Sequence, residues 1–236
     1  MSTTIHPTAI IGEDVEIGAG CVIGPHVIME SGAKIGRDNE INAGCYIFGS
    51  VEMGDRNRLM RAASLGGEPQ SMGYKGEPTR LIVGSHNWFG ENTIMHRGTA
   101  ATGKTTIGNH AFIMNGSHVG HDCIIGDHVV MAPGVMVGGE AVVMSRANLG
   151  AGAGIHQFVR VGELVMVGGM ARVTQDVVPF TTVAESSVLF GLNAIGIKRA
   201  EEYPNKLSTL KMMYRMFCEK REPLPSFLQW LHEQPS

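Results

Sequence analysis

The sequence predicts a mainly β chain, wound as a three-sided parallel coil of six-residue units and followed by a short α-helical C-terminal region. Three observations predict it. Every sixth residue from Ile5 to Val173 is aliphatic or aromatic, apart from lapses at Ser71, Glu77 and Ala101. Glycine often follows that residue, as at 12, 18, 24, 120, 126, 138 and 150. The position four after it is small or β-branched, as at Ala9, Val15, Cys21, Cys45 and Cys123. A helix repeats at 3.6 residues and an alternating strand at two, so neither produces a period of six. Short strands joined by sharp corners do, with glycine relieving corners where φ is positive. Three such sides close a coil of three hexads, and coils stack at the parallel-strand spacing of about 4.8 Å. Roughly 27 hexads then make about nine coils and a column on the order of 40 Å tall. Each coil buries its large residue against the coils above and below.

Taken in order, the coil accounts for residues 1–186, with two interruptions. The phase breaks at 66–82, "GGEPQSMGYKGEPTRLI", and at 98–106, "GTAATGKTT". Both are rich in Gly, Pro and Thr and read as loops extruded from the coil, where function tends to reside. From 187 to 236 the character changes. "LNAIGIKRAEE", "NKLSTLKMMYRMFCEK" and "PSFLQWLHEQ" have helical spacing, and Pro204, Pro223 and Pro225 punctuate them. This region is too short to form a core alone and must dock on the column or on another subunit.

Composition narrows the function classes. A net charge of −3 argues against nucleic acid as a partner, since phosphate binding needs clustered positive charge. No apolar run is long enough to span a membrane, and "MSTTIHPTAI" does not read as a signal peptide. The four cysteines lack CxxC spacing, which suits reduced thiols in a cytoplasmic protein. Three of them occupy small interior slots, a structural rather than reactive placement.

The stretch "GSHVGHDC", residues 116–123, concentrates polar chemistry in an otherwise small and apolar run. Positions one full coil apart lie above one another, so His121 shares a column with Gly139 and Gln157. His156 stands over Gly138 and Gly120, and His118 heads a column with Met136, Gly154 and Arg172. His121 therefore overlooks a groove floored by glycines, a suitable setting for a general base. The plainer reading makes these histidines ordinary surface polarity. A zinc site is disfavoured, because no third ligand shares the columns of His118 and His121.

Beyond the repeat, "HRGT", "HVGHDC", "HQF", "VMVGG" and the closing "GIKR" together resemble the acyl-[acyl-carrier-protein]–UDP-N-acetylglucosamine O-acyltransferases, over nearly the whole chain. The resemblance implies the left-handed form of the hexapeptide-repeat β-helix, although right-handed crossovers are the general preference. It also implies acyltransferase activity in lipid A-type biosynthesis, with no resident cofactor. The donor is the acyl-phosphopantetheine of acyl carrier protein and the acceptor a UDP-amino sugar. His121 would be the base, Asp122 would orient it, and the Gly138 N–H would stabilise the oxyanion. Because adjacent strand residues point oppositely, the His121–Asp122 pairing requires a corner. His118, His156, Gln157, Asn193 and Arg199 match positions contacting the sugar nucleotide or the pantetheine arm. Arg199 suits the phosphates, and Gly169 matches the position limiting acyl length. Ser71, Gly73 and Gly139 stand where the family usually carries aspartate, lysine and histidine. Three contacts of roughly 1 kcal/mol each would change acceptor affinity by about a hundredfold, which points to a paralogue with a modified acceptor.

The family's site lies between subunits of a homotrimer, and a three-sided column commonly closes with threefold symmetry. Lys206, Lys211, Arg215, Lys220 or Arg221 would meet the acidic acyl carrier protein. Two other classes fit the scaffold: a hexapeptide transferase with an acyl-coenzyme A donor, and a non-catalytic sugar-nucleotide-binding protein.

Overall fold

The computed structural model describes residues 2–200 and 207–215. The chain winds as a left-handed parallel β-helix with three sheets of 11, 9 and 8 strands. Most strands are two residues long, such as Ile124–Ile125 and Val130–Met131, because each hexad spends its other residues on a corner. Thr4 pairs with Val22 and Val22 with Glu40, so each strand pairs with the one three hexads further on. The sixth-position side chains fill the interior, with Ile23, Met29, Phe89, Ile113 and Val137 all buried. Ile5 is 45% exposed, since it belongs to the first coil and has no coil above it.

The smaller interior slots are closed as well. Cys21, Cys45 and Cys123 are buried free thiols. Burial pushes the Cys45 thiol up to about 11 and Cys123 to about 12, which leaves both unreactive. Among the described residues, Thr79 Oγ1, Thr105 Oγ1 and His118 Nε2 are buried without a partner, while the buried asparagines are paired. The Asn57 backbone N–H and side-chain amide both donate to Asn39 Oδ1, and Asn87 donates to Asn57 Oδ1 in the same way.

The two interruptions obey simple arithmetic. Ser64 pairs with Ile94 and Ile94 with His118, where an unbroken coil would pair Ser64 with Ile82 and Ile94 with Phe112. The first insertion therefore adds two hexads and the second adds one. Because each is a whole number of hexads, the apolar phase resumes at Val83 and Ile107. The irregular segments are 68–79 and 97–103, narrower than the expected 66–82 and displaced from 98–106. The strands flanking them are longer than usual, at Ser64–Gly67, Arg80–Val83 and Lys104–Ile107, because the chain pairs as it leaves and rejoins the coil. Both segments emerge from the corner between the second and third sheets. Arg97 ties them together, donating to Gly66 O at 3.2 Å and to the Tyr74 hydroxyl at 2.7 Å.

At the other end, the expected boundary at 186 falls inside a hairpin. Thr181–Ala184 pairs antiparallel with Val188–Leu192, which covers the open edge of the first sheet. Two helices follow, α1 (Ala194–Arg199) and α2 (Leu207–Tyr214). The expected helix within 225–234, and Lys206, Lys220 and Arg221, lie outside the described residues. Lys211 and Arg215 are exposed at the end of α2. No helix among the described residues is long and apolar enough to cross a membrane.

Candidate active site

His121 sits at the corner between the second and third sheets, separated from the strand His118–Val119 by Gly120. Asp122 follows it with φ +60°, in the left-handed region. That turn reverses the usual alternation and lets neighbouring side chains meet: His121 Nδ1 lies 2.7 Å from Asp122 Oδ2. The Asp122 side chain is fully buried and that of His121 is 19% exposed. The carboxylate also accepts the Thr99 N–H at 3.0 Å and the Thr99 hydroxyl at 2.8 Å. The Thr102 hydroxyl donates to Oδ1. Burial alone would raise the Asp122 pKa. The donors from Thr102, His121 and Thr99 outweigh it and hold the carboxyl below its ordinary 3.8. An ionised, acceptor-only Asp122 leaves His121 Nδ1 as the donor, so the neutral imidazole keeps its lone pair on Nε2.

Below the imidazole lies Gly139. A Cβ there would stand 2.7 Å from His121 Nε2 and 2.8 Å from Cε1. The ring therefore rests on the bare backbone of the next coil, and no side chain, histidine included, fits at 139 without displacing it. Gly139→Ala is expected to shift Nε2 and lower kcat by about tenfold while the melting temperature stays nearly constant. Steady-state kinetics beside thermal melts check this.

One assignment needs correction. The Gly138 N–H donates to Ile155 O at 2.9 Å as part of the parallel ladder, so it is not free to meet an oxyanion. Gly138 serves packing instead: a Cβ there would lie 2.8 Å from Gln157 N. The amide directly beneath the His121 ring, that of Gly139, has no acceptor among the described residues.

The second sheet continues the site. A groove of about 260 Å³ is lined by His118, Met136, Gly138, Gly154, His156 and Arg172, among others. His118 Nε2 is buried with no hydrogen-bond partner. The His96 ring packs edge-on against His118 at 5.2 Å. Burial lowers the pKa of both, and His96 further lowers that of His118, so this pair is held neutral. His156 is exposed, with Nδ1 3.1 Å from Gln157 O, and Gln157 lies two coils from His121 on the same corner. Ser71 belongs to the 68–79 segment above that corner, where its hydroxyl and carbonyl brace the turn to Tyr74.

The remaining candidates are elsewhere in the single chain. Gly169 is exposed on the corner between the first and second sheets. Asn193 caps α1 beside the corner between the third and first sheets, and Arg199 ends that helix. Asn193 Oδ1 accepts the Gly196 N–H and its Nδ2 donates to Leu164 O. Sequence reasoning missed Thr99 and Thr102 as site residues, and His96 and Arg97 as their neighbours. The "HRGT" stretch carried three of the four, but their height against Asp122 depends on the extra hexad between Ile94 and His118.

A prism of stacked hexads is the architecture of the bacterial hexapeptide transferases. The model for that class, "Bacterial transferase hexapeptide (six repeats)", matches residues 104–139. "Udp N-acetylglucosamine O-acyltransferase; Domain 2" matches residues 176–236. The chain is 38% identical over 232 residues to the acyl-[acyl-carrier-protein]–UDP-N-acetylglucosamine O-acyltransferase of Gloeothece citriformis, covering 98% of this chain and 84% of that protein. With the same enzyme of Paraburkholderia phymatum it shares 39% over 214 residues, covering 90% and 82%. The Francisella novicida UDP-N-acetylglucosamine acyltransferase structure superposes with a TM-score of 0.92 at 30% identity, covering 98% and 85%. The Moraxella catarrhalis UDP-N-acetylglucosamine O-acyltransferase superposes at 0.90 with 32% identity, covering 97% and 90%. The chain belongs to the acyl-[acyl-carrier-protein]–UDP-N-acetylglucosamine O-acyltransferase family.

Proposed function

We propose that the protein moves an acyl chain from acyl carrier protein to the 3-hydroxyl of UDP-N-acetylglucosamine or a related UDP-amino sugar, in lipid A-type biosynthesis. The observation that carries this reading is the buried, ionised Asp122 holding His121 with Nε2 over the Gly139 backbone. Nε2 takes the hydroxyl proton as the sugar oxygen attacks the thioester carbonyl carbon. The carbonyl electron pair moves onto its oxygen, for which the Gly139 N–H, unbonded among the described residues, is the candidate donor. Collapse of the tetrahedral intermediate breaks the C–S bond. The departing pantetheine sulfur takes the proton from Nε2 and leaves as a thiol, while Asp122 stabilises the imidazolium between the steps. No resident cofactor enters; the phosphopantetheine arrives on the donor protein.

His118, whose buried Nε2 is unpartnered, suits a contact to the sugar nucleotide, with His156 and Gln157 beside it. Ser71 lies above the same corner. Gly169 and Asn193 occupy the other two corners, so one chain does not assemble the full set. A homotrimer with closed threefold symmetry lays one chain's corner against another corner of its neighbour and completes the site between subunits. There Arg199 would meet the phosphates and Gly169 would set the room for the acyl tail. A cytoplasmic setting suits the three buried free thiols.

The test is a panel of UDP-sugars offered with acyl carrier protein and coenzyme A thioesters, read by mass spectrometry. A 3-O-acyl UDP-sugar formed from the carrier-protein donor is expected. Preference for coenzyme A thioesters, or a monomeric sedimentation value, would overturn the donor or the assembly respectively.

A further inference from the structure

We infer that Thr99 and Thr102 are positioning residues for the reaction: the 97–103 segment exists at this corner to lock the Asp122 carboxylate and, through it, the His121 ring. The inference rests on His121 acting as the base, as proposed above.

The geometry supplies the argument. Oδ1 of Asp122 accepts from the Thr99 N–H and the Thr102 hydroxyl. Oδ2 accepts from the Thr99 N–H, the Thr99 hydroxyl and His121 Nδ1. Both oxygens are thus held on the threonine side, and the carboxylate has no freedom to swing from the imidazole. Each hydroxyl has one proton to give. That of Thr99 goes to Oδ2, while its oxygen accepts the Ala101 N–H at 3.1 Å. The Thr102 oxygen also lies 2.8 Å from Lys104 O, but a charged carboxylate is the stronger acceptor, so its proton goes to Asp122. The segment itself is braced by the Gly103 N–H on Thr99 O. Elsewhere in the column a corner aspartate such as Asp55 or Asp127 accepts one backbone N–H from the coil before it. The 97–103 segment brings three donors, and all converge on the one carboxylate that touches His121.

The contacts require consequences that loop anchoring alone does not. Thr102→Val keeps the shape and removes one donor. It is expected to lower kcat by about tenfold with KM for both substrates changed less than twofold. Thr102→Ser restores the hydroxyl and should recover most of the rate. In an Asp122→Asn background, Thr102→Val should cost almost nothing further, because the threonine acts only through that carboxylate. Thr99→Val retains the backbone donor and should fall between wild type and Thr102→Val. Thermal melting and sedimentation establish that each variant folds and assembles as the parent does.

A kcat loss of equal size in the wild-type and Asp122→Asn backgrounds overturns the inference, since the threonine would then act elsewhere. So does a Thr102→Ser variant as slow as Thr102→Val, or a loss confined to KM. His121→Ala measured alongside separates the two levels. If that variant turns over normally, the base assignment itself has failed; if it is inactive while Thr102→Val is unimpaired, only the positioning role has.

Discussion

His121→Ala is expected to lower acyl transfer by about a thousandfold, the middle of the range a positioned general base contributes. The His121 ring lies at a corner, outside the apolar interior of the column. Its side chain is 19% exposed, and its hydrogen-bond partner is Asp122. Losing it leaves the Asp122 carboxylate with the donors of Thr99 and Thr102, so no buried charge is stranded. The fold and the melting temperature should therefore remain close to the parent's, and KM for both substrates should change little. Initial rates with an acyl carrier protein thioester, at saturating sugar nucleotide, read the effect. A variant retaining a tenth of the parental kcat would end the base role for this residue.

Asp122→Asn is expected to be nearly as damaging, with kcat down by about a hundredfold or more, and by a different route. The side chain is fully buried among donors. An amide offers one acceptor oxygen where the carboxylate offered two, so its NH2 must face either the threonines or His121. Facing His121, it donates to Nδ1 and forces the proton onto Nε2, the atom that must accept one. Facing the threonines, it meets the Thr99 N–H, which cannot turn away, and the 97–103 segment loosens. The same residue gives the parent a pH signature. Its carboxyl is held below the ordinary 3.8, so the stability it contributes is complete above that value and is lost as pH falls through the lowered one. The parent's melting temperature should drop below about pH 4 by more than that of Asp122→Asn. Equal slopes for the two proteins would show that the carboxylate is not so held.

The period of six by itself determined the architecture. A large side chain every sixth residue can be buried only on the inside of a three-sided coil, and that choice fixes a three-hexad register wherever coils are uninterrupted. It therefore puts His121 in one column with Gly139 and Gln157, and His156 over Gly138 and Gly120. Even the two interruptions preserved the phase, because they add two hexads and one. The identity of the buried thiols as packing groups was legible for the same reason. So was the need for a corner at Asp122, since adjacent side chains on a straight strand diverge.

Two things lay beyond the repeat. Which amide at the corner is free depends on where the ladder stops. The Gly138 N–H is spent on Ile155 O, and only the folded backbone shows that the next amide is not. The height of the inserted segments is the other. An insertion has no period, so nothing in its sequence says that Thr99 and Thr102 descend onto Asp122, and nothing in the repeat says that Asn193 ends up on a different corner from His121. Local periodicity decided the fold; the directions of individual donors, which reflect how irregular backbone packs against that frame, were decided in three dimensions.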